Sequence, residues 1–225
     1  GYPLDAYRQL KRWGYDVGLL FVAGEDDATW TEERFKVQHL AISRTSSIPH
    51  LVSARPFDGR WWRRDRFYRL VEAAGTRLSL SKGGSQAGTA GYLFGTGHLT
   101  HVGGGVFELP PLVCRPGALT HDDMLEPLLT ETVRRYGCYT MVADVADFSE
   151  PVVIDGIRHA LTLAHQARLP MLSPDALYRF EKARRSLDWS LEGNRLRFVA
   201  DLDLEGLTLL VGADVSLRRN HREVD

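Results

Sequence analysis

The sequence predicts an α/β fold with a largely parallel sheet and a β-hairpin near its C-terminal end. Segments of helical apolar spacing alternate with short apolar runs through at least three cycles, the order that βα units impose. Gly and Pro punctuate these segments at the points where helices and strands should stop. Close to the C-terminal end the apolar residues change to strict alternation, Leu196, Phe198, Ala200 and Leu202, which is a strand period.

The elements follow in order. Residues 4–13 have helical spacing, and 15–23 form a short apolar run bounded by Gly24, read as a buried strand. Thr29-Trp-Thr-Glu32 has the spacing of a capping box for a helix that presents Phe35, His39 and Ile42 on one face. A second strand is expected near 51–54. A helix over 61–74 carries an inward stripe of Phe67, Leu70, Val71 and Ala74 and ends at Gly75, followed by a strand over 76–81. Residues 83–105 are Gly-rich and irregular, and a loop of that length in a compact domain is usually functional or disordered. A strand over 106–109 stops at Pro110-Pro111. Helices are expected over 121–136, 152–167 and 175–186, with a strand over 139–145. The hairpin is expected to turn at Glu205-Gly206 into a strand over 207–211, leaving a polar, frayed end.

Composition narrows the function. The 225 residues carry 28 basic and 29 acidic side chains, a formal net charge of −1, and 44% are hydrophobic. This excludes a disordered tail, a coiled coil and a broadly basic nucleic-acid binder. No run approaches the ~18 apolar residues of a membrane span, and the opening GYPLDAYRQLKRWG lacks the apolar stretch of a signal peptide. A soluble, cytoplasmic chain is expected, with the periplasm as the alternative. Two cysteines, Cys114 and Cys138, form no C-x-x-C, so neither a disulfide framework nor a zinc ribbon is expected.

The candidate chemistry lies in four places. His98 and His101 stand three apart among glycines, a spacing that lets two imidazoles share a metal in a suitable turn. Glu25-Asp26-Asp27 follows the first strand, where a carboxylate can act as a base or ligand, or can cap the next helix. Arg60, Arg63, Arg64, Arg66 and Arg69 interleave with Trp61, Trp62, Phe67 and Tyr68. Helical geometry turns the arginines to a solvated face, while flat tryptophans in a groove suit sugar stacking. The glycines match neither a phosphate loop nor a dinucleotide fingerprint, and Gly83-Gly-Ser-Gln-Ala87 misses the nucleophile elbow by its final residue.

Val52-Ser-Ala-Arg-Pro-Phe-Asp-Gly59, followed by RWWRRDRFYRLVEAAGTRLSLS, resembles the polysaccharide deacetylase family of carbohydrate esterases. There an arginine-proline-aromatic-glycine turn follows a barrel strand and leads into a helix and the next strand. Gly14-Tyr-Asp-Val-Gly18 and Glu108-Leu-Pro110 are similar to flanking strands of that family, and Leu172-Ser-Pro-Asp-Ala-Leu177 to its closing helices. The resemblance covers about residues 1–189. It implies an incomplete, distorted β/α barrel over 1–189, with the hairpin over 190–213 and a polar tail over 214–225.

The function implied is a metal-dependent hydrolase that removes an acyl group from an N- or O-acylated glycan or sugar intermediate. The alternative is a catalytically inactive deacetylase-like module for carbohydrate binding or glycan assembly. A divalent metal, zinc foremost, would polarise the acyl carbonyl and lower the pKa of a bound water. On this reading Asp26, Asp27 and Arg55 are catalytic, Trp61, Trp62, Tyr92 and Glu108 bind substrate, and His50 and His98 hold the metal. The partner is a glycan or sugar, with no nucleic acid and no membrane span. The chain departs from the family where a metal histidine is expected, since Leu19-Leu20-Phe21 stands there, and the family's first aspartate motif would fall before Gly1.

Overall fold

The computed structural model describes residues 4–24, 26–57, 64–80, 100–103, 105–109, 112–113, 122–134, 138, 140–142, 148–201, 218–219 and 222–223. The chain divides into two units, residues 1–178 and 179–225.

In the first unit, helix α1 (Leu4–Arg12) leads to strand β1 (Leu19–Phe21). Helix α2 (Glu32–Ser46), strand β2 (Ser53–Pro56), helix α3 (Arg64–Ala73) and strand β3 (Leu78–Ser79) follow. Strands β4 (Thr100–Gly103) and β5 (Val106–Glu108) complete a five-stranded sheet of order β1-β2-β3-β5-β4. The first four strands in that order are parallel, and β4 runs antiparallel to β5. Beyond them come β6 (Leu112–Val113), α4 (Asp122–Arg134), β7 (Met141–Val142) and α5 (Pro151–Gln166), with β6 and β7 paired in parallel. Helix α6 (Pro174–Arg185) contains the boundary between the units. The mixed α/β class with a parallel sheet is as expected, and among the described residues the sheet does not close into a barrel.

Apolar burial sets the layers. Leu19, Phe21, Ala54 and Val106 pack with Phe35 of α2 and with Phe67, Leu70 and Val71 of α3. The rings of Phe21, Phe35 and Phe67 lie 5.1–6.2 Å apart by centroid, contacts worth about 0.5–1.5 kcal/mol each beyond area burial. The stripes expected on both helices therefore do face the sheet. The other face carries Leu78, Phe107 and Leu109, packed with Leu80, Cys138, Leu177 and Tyr178.

Several local expectations are corrected. Helix α2 is capped by Thr31, whose side chain accepts the Arg34 N–H, and not by Thr29. The Thr29 hydroxyl instead donates to the carbonyls of Gly24 and Asp26, closing a 3₁₀ turn over Asp27–Thr29. The first strand is shorter than its apolar run. Where that run enters the sheet, a Cβ on Gly18 would stand 2.5 Å from the Ser53 hydroxyl and 3.0 Å from the Ser53 carbonyl oxygen, so a side chain there would force the Ser53 segment to shift. The end of the Gly-rich segment is β4, a strand with no apolar alternation to mark it.

In the second unit, strands β8 (Asp188–Glu192) and β9 (Arg195–Val199) form an antiparallel hairpin. A C-terminal hairpin was expected, but its turn is Gly193-Asn194 and not Glu205-Gly206. Gly193 has φ 60° and Asn194 is not among the positive-φ residues, the pattern of a two-residue type II′ connection. The expected strand over 207–211 lies outside the described residues. The tail expected to fray carries a short antiparallel pair, β10 (Arg218–Arg219) with β11 (Arg222–Glu223).

Candidate functional site

In parallel α/β sheets the loops beyond the C-terminal strand ends are where ligands are held. Here that edge is formed by residues 22–24 and 26–29 after β1, Phe57 after β2, Leu80 after β3 and Leu109 after β5.

The turn after β1 is fixed from below. Trp30 is buried against Phe21 and Phe67, and its indole N–H donates to the Gly24 carbonyl at 3.0 Å. Asp26 is exposed, and its Oδ1 accepts the Ala28 N–H at 2.9 Å. One of its two carboxylate oxygens is thus committed to capping the 3₁₀ turn. Asp27 begins that turn, and its side chain is outside the described residues. The next amide and carbonyl along the edge strand, those of Val22, are both taken by the Gln38 side chain, at 2.9 and 2.8 Å. Gln38 occupies the place of a further strand, a role with no signal in the apolar pattern.

Strand β2 positions Arg55. Leu19, Ala54, Ser79 and Glu108 stand in register across four strands and share the face covered by α2 and α3. Arg55 follows Ala54 and pairs with Leu20, so it projects from the opposite face. Its side chain is half-buried, with Nε shielded from solvent. Phe57 follows at the strand end and is 64% exposed. Its N–H donates to the Phe21 carbonyl at 2.8 Å, extending the β1–β2 ladder and holding the ring at the edge. Phe57 was not singled out from sequence, although it lies in the turn that carries the resemblance. An exposed aromatic directly after a strand was the available signal.

The predicted residues do not all converge. Glu108 ends β5 but is only 2% exposed, on the helix-covered face and opposite to Arg55. His50 lies before β2, at the N-terminal edge of the sheet. It lines a cleft of about 260 Å³ with Lys11, Tyr15, Asp16 and Asp175. Next to it, burial and then the neighbouring His50 hold the His39 imidazole below its ordinary pKa. Trp61, Trp62, Tyr92 and His98 lie outside the described residues, as do Ser85 and Cys114.

Of the two residues expected to hold a divalent metal, His50 is described and His98 is not. Among the described residues no three His, Cys, Asp or Glu side chains come together as a ligand set. Asp26 has an oxygen committed to a cap, and His50 is at the other edge of the sheet. No described helix is long and apolar enough to cross a membrane. No family model matches the chain, and the searches of curated proteins and of solved structures found no match either.

Proposed function

We propose that the chain is a polysaccharide deacetylase-like module that receives an N- or O-acylated glycan or sugar intermediate at the C-terminal edge of its parallel sheet. The observation that supports this most is the placement of Arg55 and Phe57 together at that edge. A guanidinium offers a planar fork of donors to acyl and hydroxyl oxygens, and an exposed ring offers a flat apolar surface to the C–H face of a sugar. The sheet supports the barrel ancestry that the resemblance implies. Its parallel strands run in chain order without reversal, and both crossover helices, α2 and α3, pack on one face. A doubly wound sheet reverses its strand order at a switch point, whereas a barrel wall does not; the face opposite α2 and α3 is packed by Leu177 and Tyr178 of α6.

Two activities belong to this reading. The first is hydrolysis of the acyl group, with Arg55 orienting the acylated sugar. The second is non-catalytic carbohydrate binding, favoured by the cap made by Asp26 and by the distant position of His50. Elemental analysis of the purified chain, together with acetate release from N-acetylated chitohexaose and acetylated xylan, separates the two. Stoichiometric metal with acetate release supports the hydrolase. Metal-free protein that binds either glycan without releasing acetate supports the binding module, and absence of both binding and release overturns the proposal.

A further inference from the structure

The hairpin of the second unit has two unlike faces. The register sets Trp189 opposite Phe198 and Leu191 opposite Leu196, while Ser190 faces Arg197 and Glu192 faces Arg195. Side chains alternate along each strand, so Trp189, Leu191, Leu196 and Phe198 share one uncharged face. The charged residues Asp188, Glu192, Arg195 and Arg197 share the other. The uncharged face is open: Trp189 is 68% exposed, Leu191 64% and Phe198 37%. The two-residue turn at Gly193 holds this face in one geometry.

We propose that this face, Trp189 and Phe198 with Leu191 and Leu196 beside them, binds a neutral glycan chain by stacking on its sugar rings. Size and charge select that occupant. The exposed fractions of Trp189, Leu191 and Phe198 amount to an area on the order of 400 Å². A stable protein partner buries ~800 Å² on each side, so the face is about half of what a second copy of the chain requires. An apolar patch of a few hundred Å² is nevertheless large enough to be functional, and it matches a short run of sugar rings. Among the described residues the face has no cation to draw an anionic lipid or polymer and no anion to draw a basic one. What it offers is a cross-strand aromatic pair, suited to the apolar C–H faces of pyranoses whose hydroxyls stay in water at the rim. The choice of a glycan rests in part on the function proposed above, although the face lies in the other unit.

The full chain titrated with cellohexaose and with N-acetylated chitohexaose, followed by calorimetry, tests this. Saturable binding of at least one is expected, weakened at least tenfold in Trp189→Ala and Phe198→Ala and retained within about threefold in Trp189→Tyr. Trp189→Tyr keeps a flat ring, so it remains informative if the alanine variants fail to fold. Binding that is lost in Arg55→Ala and unchanged in Trp189→Ala overturns the hairpin proposal and leaves the sheet-edge reading standing. The reverse pattern supports the hairpin and leaves the sheet edge without support. Binding of neither sugar overturns the proposal. So does sedimentation as a dimer that Trp189→Ala dissociates, and so does association with phosphatidylcholine vesicles in place of sugar.

Discussion

The carboxylate of Asp16 accepts the backbone N–H of Asp175 at 2.8 Å, across 159 residues of sequence. Asp16 follows α1, and Asp175 stands in the first turn of α6, where backbone donors have no partner within the helix. This one bond therefore caps a helix from a distant part of the chain and joins the beginning of the first unit to its end. Asp16→Ala is expected to lower stability by about 1 kcal/mol, with Asp16→Asn retaining most of it through its amide oxygen. Urea denaturation of the three proteins checks the order.

Helix α2 ends in a left-handed turn that lacks a glycine. Ser47 has φ 56° and ψ 31°, the Ser47 N–H donates to the Arg44 carbonyl and the Ile48 N–H to the Ser43 carbonyl. That is the Schellman arrangement, and a side chain at its left-handed position costs energy that glycine avoids. Ser47→Gly should raise stability by about 0.5–1 kcal/mol, read as a higher thermal midpoint. A lowered midpoint would show that Ser47 gains more from its side chain than it loses to strain.

Two buried groups give the fold a pH dependence in separate windows. His39 is held below its ordinary 6.5 by burial first and by His50 second, so the unfolded chain binds the proton more readily than the folded one. Its contribution is complete above pH 6.5 and is lost as pH falls below that value. Burial alone would raise the Glu181 carboxyl, but hydrogen bonds from Arg184 at 2.7 and 2.9 Å and from Arg185 at 2.6 Å outweigh it and lower the pKa. Its contribution is complete above the ordinary 4.5 and is lost as pH falls through the lower folded value. Stability measured against pH should fall in two stages on acidification. His39→Gln should remove the upper stage and Glu181→Gln the lower. A wild-type curve flat across the upper window would contradict the assignment to His39.

Much of the fold is legible in the sequence because it follows apolar period. The faces of α2 and α3 and the strand over 106–109 are set by burial, and residues such as Phe35, Phe67 and Phe107 report it directly. What the pattern does not carry is polar and local. Gln38 replaces a strand by pairing with Val22, and Asp16 caps a helix it reaches only through the fold. The hairpin turn is legible in Gly193-Asn194, a two-residue turn signal between alternating residues, but the alternation from Leu196 continues to Leu202 and makes the strand look longer than it is. The site was legible as a position after strands and not as a constellation. Residue order alone does not show that Arg55 and Glu108 leave the sheet on opposite faces, which follows only from the register Ala54, Ser79, Glu108.

The central claim is that Arg55, with Phe57 beside it, meets an acylated sugar at the C-terminal edge of the sheet. The most direct measurement is titration of N-acetylated chitohexaose into the wild-type chain and into Arg55→Ala, with the thermal midpoint of each recorded alongside. The account predicts that Arg55→Ala weakens binding about tenfold or more, the loss of a charge-assisted contact, while the midpoint moves by only a few degrees. Equal affinity in the two proteins with a lowered midpoint would make Arg55 a structural residue and contradict the account.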